Sequence, residues 1–216
     1  MDPRNLLGVA VALVLGWFAL GMLYNLRLGR TLLRWIQGGL PLIGERTTYR
    51  WLGSSVAELV VAQAKRPFRS LTTLIVLSPR DVPPLWIWSL LRGRRDTLIL
   101  RGQLVIAPGV ELELADPASW TGRMGLEQAV GLGWQSEPHG KRQLMTPPGL
   151  TPRSQTLLEA LAPRLAAVTP DYRRFALRRG DPHFELHVPL PDTRQVNADA
   201  LFEAVRDLAR AVSQAE

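Results

Sequence analysis

The sequence predicts an α+β domain carried on one N-terminal transmembrane helix, and three observations predict it. Leu6 to Tyr24 is a run without a single charge. Beyond it, short apolar segments that alternate or carry β-branched residues recur, as strands require. Strands and helices then follow one another without regular β-α alternation, which points to a largely antiparallel sheet with about three helices.

The apolar run comes first. At about 1.5 Å of rise per residue it spans roughly 28 Å as a helix, close to the roughly 30 Å hydrocarbon thickness of a bilayer. It is apolar all round, so a soluble amphipathic helix would leave half of this surface in water. Only Asp2, Arg4 and the amino terminus precede it, whereas Arg27, Arg30 and Arg34 follow closely. The positive-inside tendency therefore places the N-terminus outside and the C-terminal part in the cytoplasm. A cleaved signal peptide is the rival reading. Against it, the run exceeds a typical h-region, and Leu20-Gly21-Met22-Leu23 offers no small-x-small cleavage site. The reading is an uncleaved single-pass signal-anchor, with residues 1–37 as anchor and juxtamembrane helix and residues 38–216 as one cytosolic α+β domain.

Arg27, Arg30 and Arg34 recur at three and four residues and so share one helical face. Leu28, Leu32, Leu33, Trp35 and Ile36 fill much of the rest. This continuation either lies along the head groups, with Trp17, Tyr24 and Trp35 as interfacial anchors, or packs on its own domain. Gly38-Gly39 ends it and Pro41 prevents continuation.

In the domain, Tyr49–Leu52, Val56–Ala64 and Leu71–Leu77 read as extended, with Lys65-Arg66-Pro67 as a basic break. Asp81 as N-cap with Pro83 and Pro84 introduces a short helix to Leu91. It is very apolar, so burial is the commoner fate, and dipping into a membrane interface is the alternative. Thr97–Leu100 and Val110–Leu114 read as strands, Ala115–Gly133 as punctuated by Gly and Ser, and Arg142–Met145 as a weak strand. Ser154–Val168 is helical by its leucine spacing. Tyr172–Leu177 and His183–Val188 flank Arg179-Gly180-Asp181 as a hairpin, and Asn197 caps a final helix, Ala198–Ser213.

Charge is uneven. Between Arg27 and Arg101 there are thirteen cations against four anions, a local net of +9 against +7 for the whole chain, so the remainder is slightly acidic. A basic half joined to a span suggests contact with phosphate, on anionic lipid or on RNA. The set Lys65, Arg66, Arg69, Arg92, Arg94 and Arg95 falls in two connectors, where side chains can reach a polyanion. With Arg27, Arg30 and Arg34 these are the candidate contact residues for lipid, RNA or a protein partner. No sequence-reading nucleic-acid module is present, so DNA is not an expected partner.

Catalytic signals are weak. The absence of Cys leaves no disulfide or thiolate site, which fits a reducing compartment. In His183-Phe184-Glu185-Leu186-His187 the two imidazoles and the carboxylate share one strand face, the right ligand types for zinc or iron. The plainer account is the solvent face of a half-buried strand. Gly53-Ser54-Ser55 lacks the flanks of a nucleophile elbow, Gly131-x-Gly133 lacks the third glycine of a dinucleotide loop, and Asp116, Glu127 and Asp171 stand alone. The expectation is a non-enzyme without cofactor.

The layout resembles the calumin family, coiled-coil-domain membrane proteins associated with the translocon of the endoplasmic reticulum. The local echoes are Asn25–Trp35 after the span, Leu42-Ile43-Gly44 leading to Trp51 and Gly53, Glu58-Leu59, Arg80-Asp81, and Val188-Pro189-Leu190-Pro191 before the last helix. The resemblance implies a non-enzymatic factor that helps membrane proteins insert and assemble beside translocon, insertase and ribosome, with ribosomal RNA as a further contact. An acidic segment before the span and a charged coiled coil after Ser213 are missing, so calcium buffering and direct ribosome contact by that element do not carry over. The sequence thus predicts a membrane-anchored scaffold or chaperone-like factor. The alternatives are an anionic-lipid-binding module using Arg27, Arg30, Arg34, Trp86 and Trp88, and a metal enzyme on His183, Glu185 and His187.

Overall fold

The computed structural model describes residues 2–214. Helix α1 (Pro3–Gly39) leads through a single 3-10 turn, Leu40–Leu42, into an α+β domain built on one antiparallel sheet. Its strands are β1 (Thr47–Trp51), β2 (Val56–Val61), β3 (Phe68–Val76), β4 (Thr97–Leu104), β5 (Leu112–Ala115), β6 (Gln135–His139), β7 (Arg142–Thr146), β8 (Arg174–Leu177) and β9 (Phe184–Pro189). Their spatial order is β1-β2-β3-β4-β9-β8-β5-β7-β6. The remaining helices are α2 (Pro83–Leu91), α3 (Trp120–Gly131), α4 (Thr151–Val168) and α5 (Ala198–Gln214).

Alternation decides which residues meet on each face of the sheet. Leu59, Leu71, Leu100, Leu186, Phe175 and Leu114 all point to one side and are buried. Phe68, Phe184 and Phe175 meet there edge to face, with ring centroids 5.8–5.9 Å apart. Helices α4 and α5 pack on each other, and the apolar stripe of α5, Leu201, Phe202, Val205, Leu208 and Val212, completes the core. The Asn197 side chain accepts from the Asp199 amide at 3.2 Å, as an N-cap should.

The second half of α1 belongs to this core. Leu32, Leu33 and Ile36 are buried, and a Cβ on Gly39 would lie 2.5 Å from the Phe202 ring, so glycine lets α1 and α5 touch. The Trp35 indole N–H donates to the Val196 carbonyl at 2.8 Å. Of the two arrangements open for the residues after the apolar run, packing on the chain's own domain is the one observed. Arg27, Arg30 and Arg34 project from the opposite, exposed side.

Three local expectations are corrected. The segment read as punctuated by glycine contains α3, capped by the Ser119 hydroxyl, which accepts from the Gly122 amide at 2.9 Å. Gln135–His139, for which the sequence suggests no element, is the edge strand β6 paired with β7. Val82, not Asp81, occupies the N-cap position of α2; the Asp81 carboxylate instead accepts from the Ser54 hydroxyl at 2.6 Å.

Candidate membrane-facing surface

The apolar end of α1 is long and apolar enough to cross a membrane, and its first part, up to Gly16, stands clear of the domain. Contact begins at Trp17. Its indole N–H donates to the Arg80 carbonyl at 2.9 Å, and its ring lies 6.2 Å from that of Trp86 on α2. One turn on, a Cβ on Gly21 would lie 2.5 Å from the Arg80 carbonyl oxygen, so the helix meets this loop backbone to backbone. Asn25, fully buried, donates to the Ser78 carbonyl at 3.0 Å and accepts from Arg80 at 3.1 Å. The Arg80 guanidinium also bonds Asp96 at 2.7 Å and lies 5.0 Å from the centroid of the Tyr24 ring. The buried Asn25 amide and the Arg80 guanidinium are both hydrogen-bonded, as groups withdrawn from water require.

Helix α2, which apolarity alone assigns to the core, lies on the surface. Leu85 is 44% exposed, Ile87 54%, Trp88 51% and Leu91 81%. Buried apolar residues are the rule, and a contiguous exposed set beside a membrane-length helix marks an interaction surface. Behind α2 an open cleft of about 640 Å³ separates it from α3, lined by Leu91, Arg92, Arg95, Trp120, Arg123 and Met124 among others. Arg92 stacks on Trp88 at 4.0 Å and Arg94 on Trp120 at 4.8 Å. Burial lowers the pKa of Arg94, with Asp96 working against that shift.

The structure divides the basic set. Lys65, Arg66 and Arg69 precede or open β3, whereas Arg92, Arg94 and Arg95 follow its far end. Nine strand residues at about 3.3 Å each put these clusters roughly 30 Å apart, so they are not one surface. Lys65 is tied to the other end of α1, its ammonium donating to the Pro41 carbonyl at 2.7 Å. Arg30 and Arg34 line a separate cleft of about 440 Å³ with Tyr49 and Trp51.

The His183, Glu185 and His187 face is not a solvent face. Glu185 and His187 are buried in an ionic cluster on the second side of the sheet, and His183 turns aside to accept from the Leu104 amide at 3.2 Å. His187 Nε2 lies 2.8 Å from Glu185, which also receives Arg101 at 2.9 Å and faces Arg174 at 3.6 Å. Arg174 reaches on to the buried Glu113 at 2.6 Å, and so does Arg178. Burial opposes ionisation of Glu185, but the His187 hydrogen bond and the Arg174 and Arg101 charges outweigh it and hold its pKa down to about 2. Burial, helped by the two guanidinium charges, lowers the pKa of His187 despite Glu185. A neutral imidazole donating from Nε2 then leaves Nδ1 as a bare acceptor, and that atom has no partner. Helix α3 can close over this cluster because Gly125 has no Cβ to strike Glu113 and Arg174. Among the described residues, no group of three His, Asp or Glu side chains is placed to hold a metal ion.

No family model and no curated protein matches this chain. The likeness to the calumin family therefore rests on the short motifs quoted above. Sequence reasoning missed Asn25, Arg80, Trp120 and Arg123 as parts of this surface. Asn25 did carry a signal, since it is the first hydrogen-bonding amide at the end of the apolar run.

Proposed function

We propose that this protein is a single-pass membrane-anchored scaffold, chaperone-like in its action on other membrane proteins, whose domain is seated in the cytoplasmic leaflet. The exposed, apolar α2 beside the lower part of the apolar run carries this reading. From Leu6 to Gly16, ahead of the first contact with the domain, α1 offers about 16 Å of apolar length, some 14 Å less than the roughly 30 Å a bilayer requires. Helix α2 is about 13 Å long and 10–12 Å across with side chains, so it covers the missing depth on the side where the domain docks. The other sides of α1 remain apolar through Leu20 and Leu23. Arg27, Arg30, Arg34 and Arg92 then fall where head groups begin, on the side the positive-inside tendency favours.

An apolar wall made of α1 and α2 is suited to hold lipid-facing helices of other proteins while they pack. The calumin-like motifs point the same way. The test is a photo-crosslinker placed at Ile87 or Leu91 in the full-length protein, followed by affinity purification from native membranes with proteins and RNA identified. Recovery of insertase or translocon components, or of newly made membrane proteins, is the expected result. Recovery of lipid and the protein alone would overturn the scaffold reading. A mature N-terminus lying beyond Tyr24 would overturn the anchor.

A second reading, an anionic-lipid-binding surface module, is favoured by the basic cleft directly behind α2.

A further inference from the structure

We propose that the cleft between α2 and α3 holds the phosphate of one anionic phospholipid from the leaflet in which α2 sits, an assignment that rests on that seating. The cleft brings Arg92, Arg95 and Arg123 together with a single carboxylate, Glu127. None of the three arginines is within ion-pair distance of a carboxylate among the described residues.

Their positions are fixed by other bonds. Arg123 donates to the carbonyls of Ala118 and Arg92, bracing the two walls, while Arg95 donates to the Leu90 and Arg94 carbonyls at 3.0 Å. Arg92 is held by the face of Trp88 instead. Guanidinium groups fixed in this way have little freedom left to lose on binding a phosphate, and Arg suits that geometry better than Lys.

The apolar rim says what the phosphate is attached to. Leu91, 81% exposed, and Met124, 51% exposed, line the same cleft. A soluble phosphate compound has no use for that rim. An acyl chain does, because it can run from the rim along α2 toward α1.

The test uses full-length protein reconstituted in nanodiscs of phosphatidylglycerol and phosphatidylcholine, released into neutral detergent, with retained lipid counted by native mass spectrometry. Selective retention of phosphatidylglycerol is expected. Arg92→Gln with Arg95→Gln should weaken it roughly thirtyfold, each cation near a membrane surface being worth about a fivefold attraction. Arg153→Gln with Arg164→Gln removes equal charge from the exposed face of α4 and should leave retention unchanged. Glu127→Gln should tighten it, a gain that misfolding cannot produce.

Equal losses in the two double variants would overturn the site in favour of diffuse charge. Displacement by millimolar glycerol phosphate would overturn it in favour of a soluble ligand. A lipid-depth probe at residue 91 separates this proposal from the seating. Retention with a water-exposed probe refutes the seating and keeps the headgroup site, whereas a lipid-buried probe without retention does the reverse.

Discussion

Acid should destabilise the domain through the buried cluster before it affects the rest of the fold. His187 binds protons less readily in the folded chain than its ordinary value of 6.5. Below about pH 6.5 the unfolded chain therefore takes up a proton that the folded one refuses, and stability falls by up to about 1.4 kcal/mol per pH unit. Glu185 acts lower down. Its depression from 4.5 to about 2 is worth on the order of 3 kcal/mol, present above its ordinary value and lost as pH falls from there toward 2. The perturbation is His187→Gln, which can keep an N–H toward Glu185 but does not titrate. Thermal unfolding of the full chain in neutral detergent, followed by near-ultraviolet circular dichroism between pH 8 and pH 5, provides the assay. The parent should lose stability as pH falls from 6.5 to 5, by at most about 2 kcal/mol, and the variant should lose clearly less over that range. An equal slope in both would refute the reasoning, because the loss would then arise from a group other than His187.

Three further outcomes follow from the joint between α1 and the domain. Gly21→Leu places carbon where the Arg80 carbonyl lies 2.5 Å away, so α1 should separate from α2 and limited proteolysis should cut between Val82 and Arg94 in the variant alone. Asn25→Leu leaves the Ser78 carbonyl without its donor and Arg80 short of one acceptor; a loss of about 1–3 kcal/mol in unfolding stability is expected, and an unchanged midpoint would deny the joint any weight. Because the sequence has no Cys, single cysteines at Ile87, Leu91 and Arg69 give unique spin-label sites. Labels at 87 and 91 should collide with dissolved oxygen in the bilayer, and the label at 69 with a water-soluble nickel chelate.

What could be read from residues alone was set by periodicity. Alternation in β2, β5 and β9 and the leucine stripes of α4 and α5 report the face each presents to the core, and those elements fall where expected. Helix α3 escaped because Gly122, Gly125 and Gly131 depress helix propensity. Gly125 is demanded by tertiary contact with Glu113 and Arg174, which no local pattern reveals, and Gly122 by the tight capping turn at Asp116 and Ser119. The surface position of α2 was hidden for a different reason. Apolarity measures dislike of water and does not distinguish a protein core from a lipid neighbour. Glu185 and His187 likewise alternate as an outward face should, and the cross-strand Arg101 and Arg174 help turn that face into an interior.

Because α1 is at once the apolar segment and a core helix, no break in the helix separates the apolar segment from the domain. In a membrane, a change of tilt becomes a rotation of the whole sheet about the joint at Asn25. A tilt change of about 10°, within the range helices adopt as bilayer thickness varies, would carry the Lys65–Arg69 end, roughly 30 Å away, through about 5 Å. The molecule is thus a lever whose short arm feels lipid thickness and whose long arm, running on along α1 to the Lys65 contact with Pro41, swings a basic tip sideways, parallel to the membrane surface.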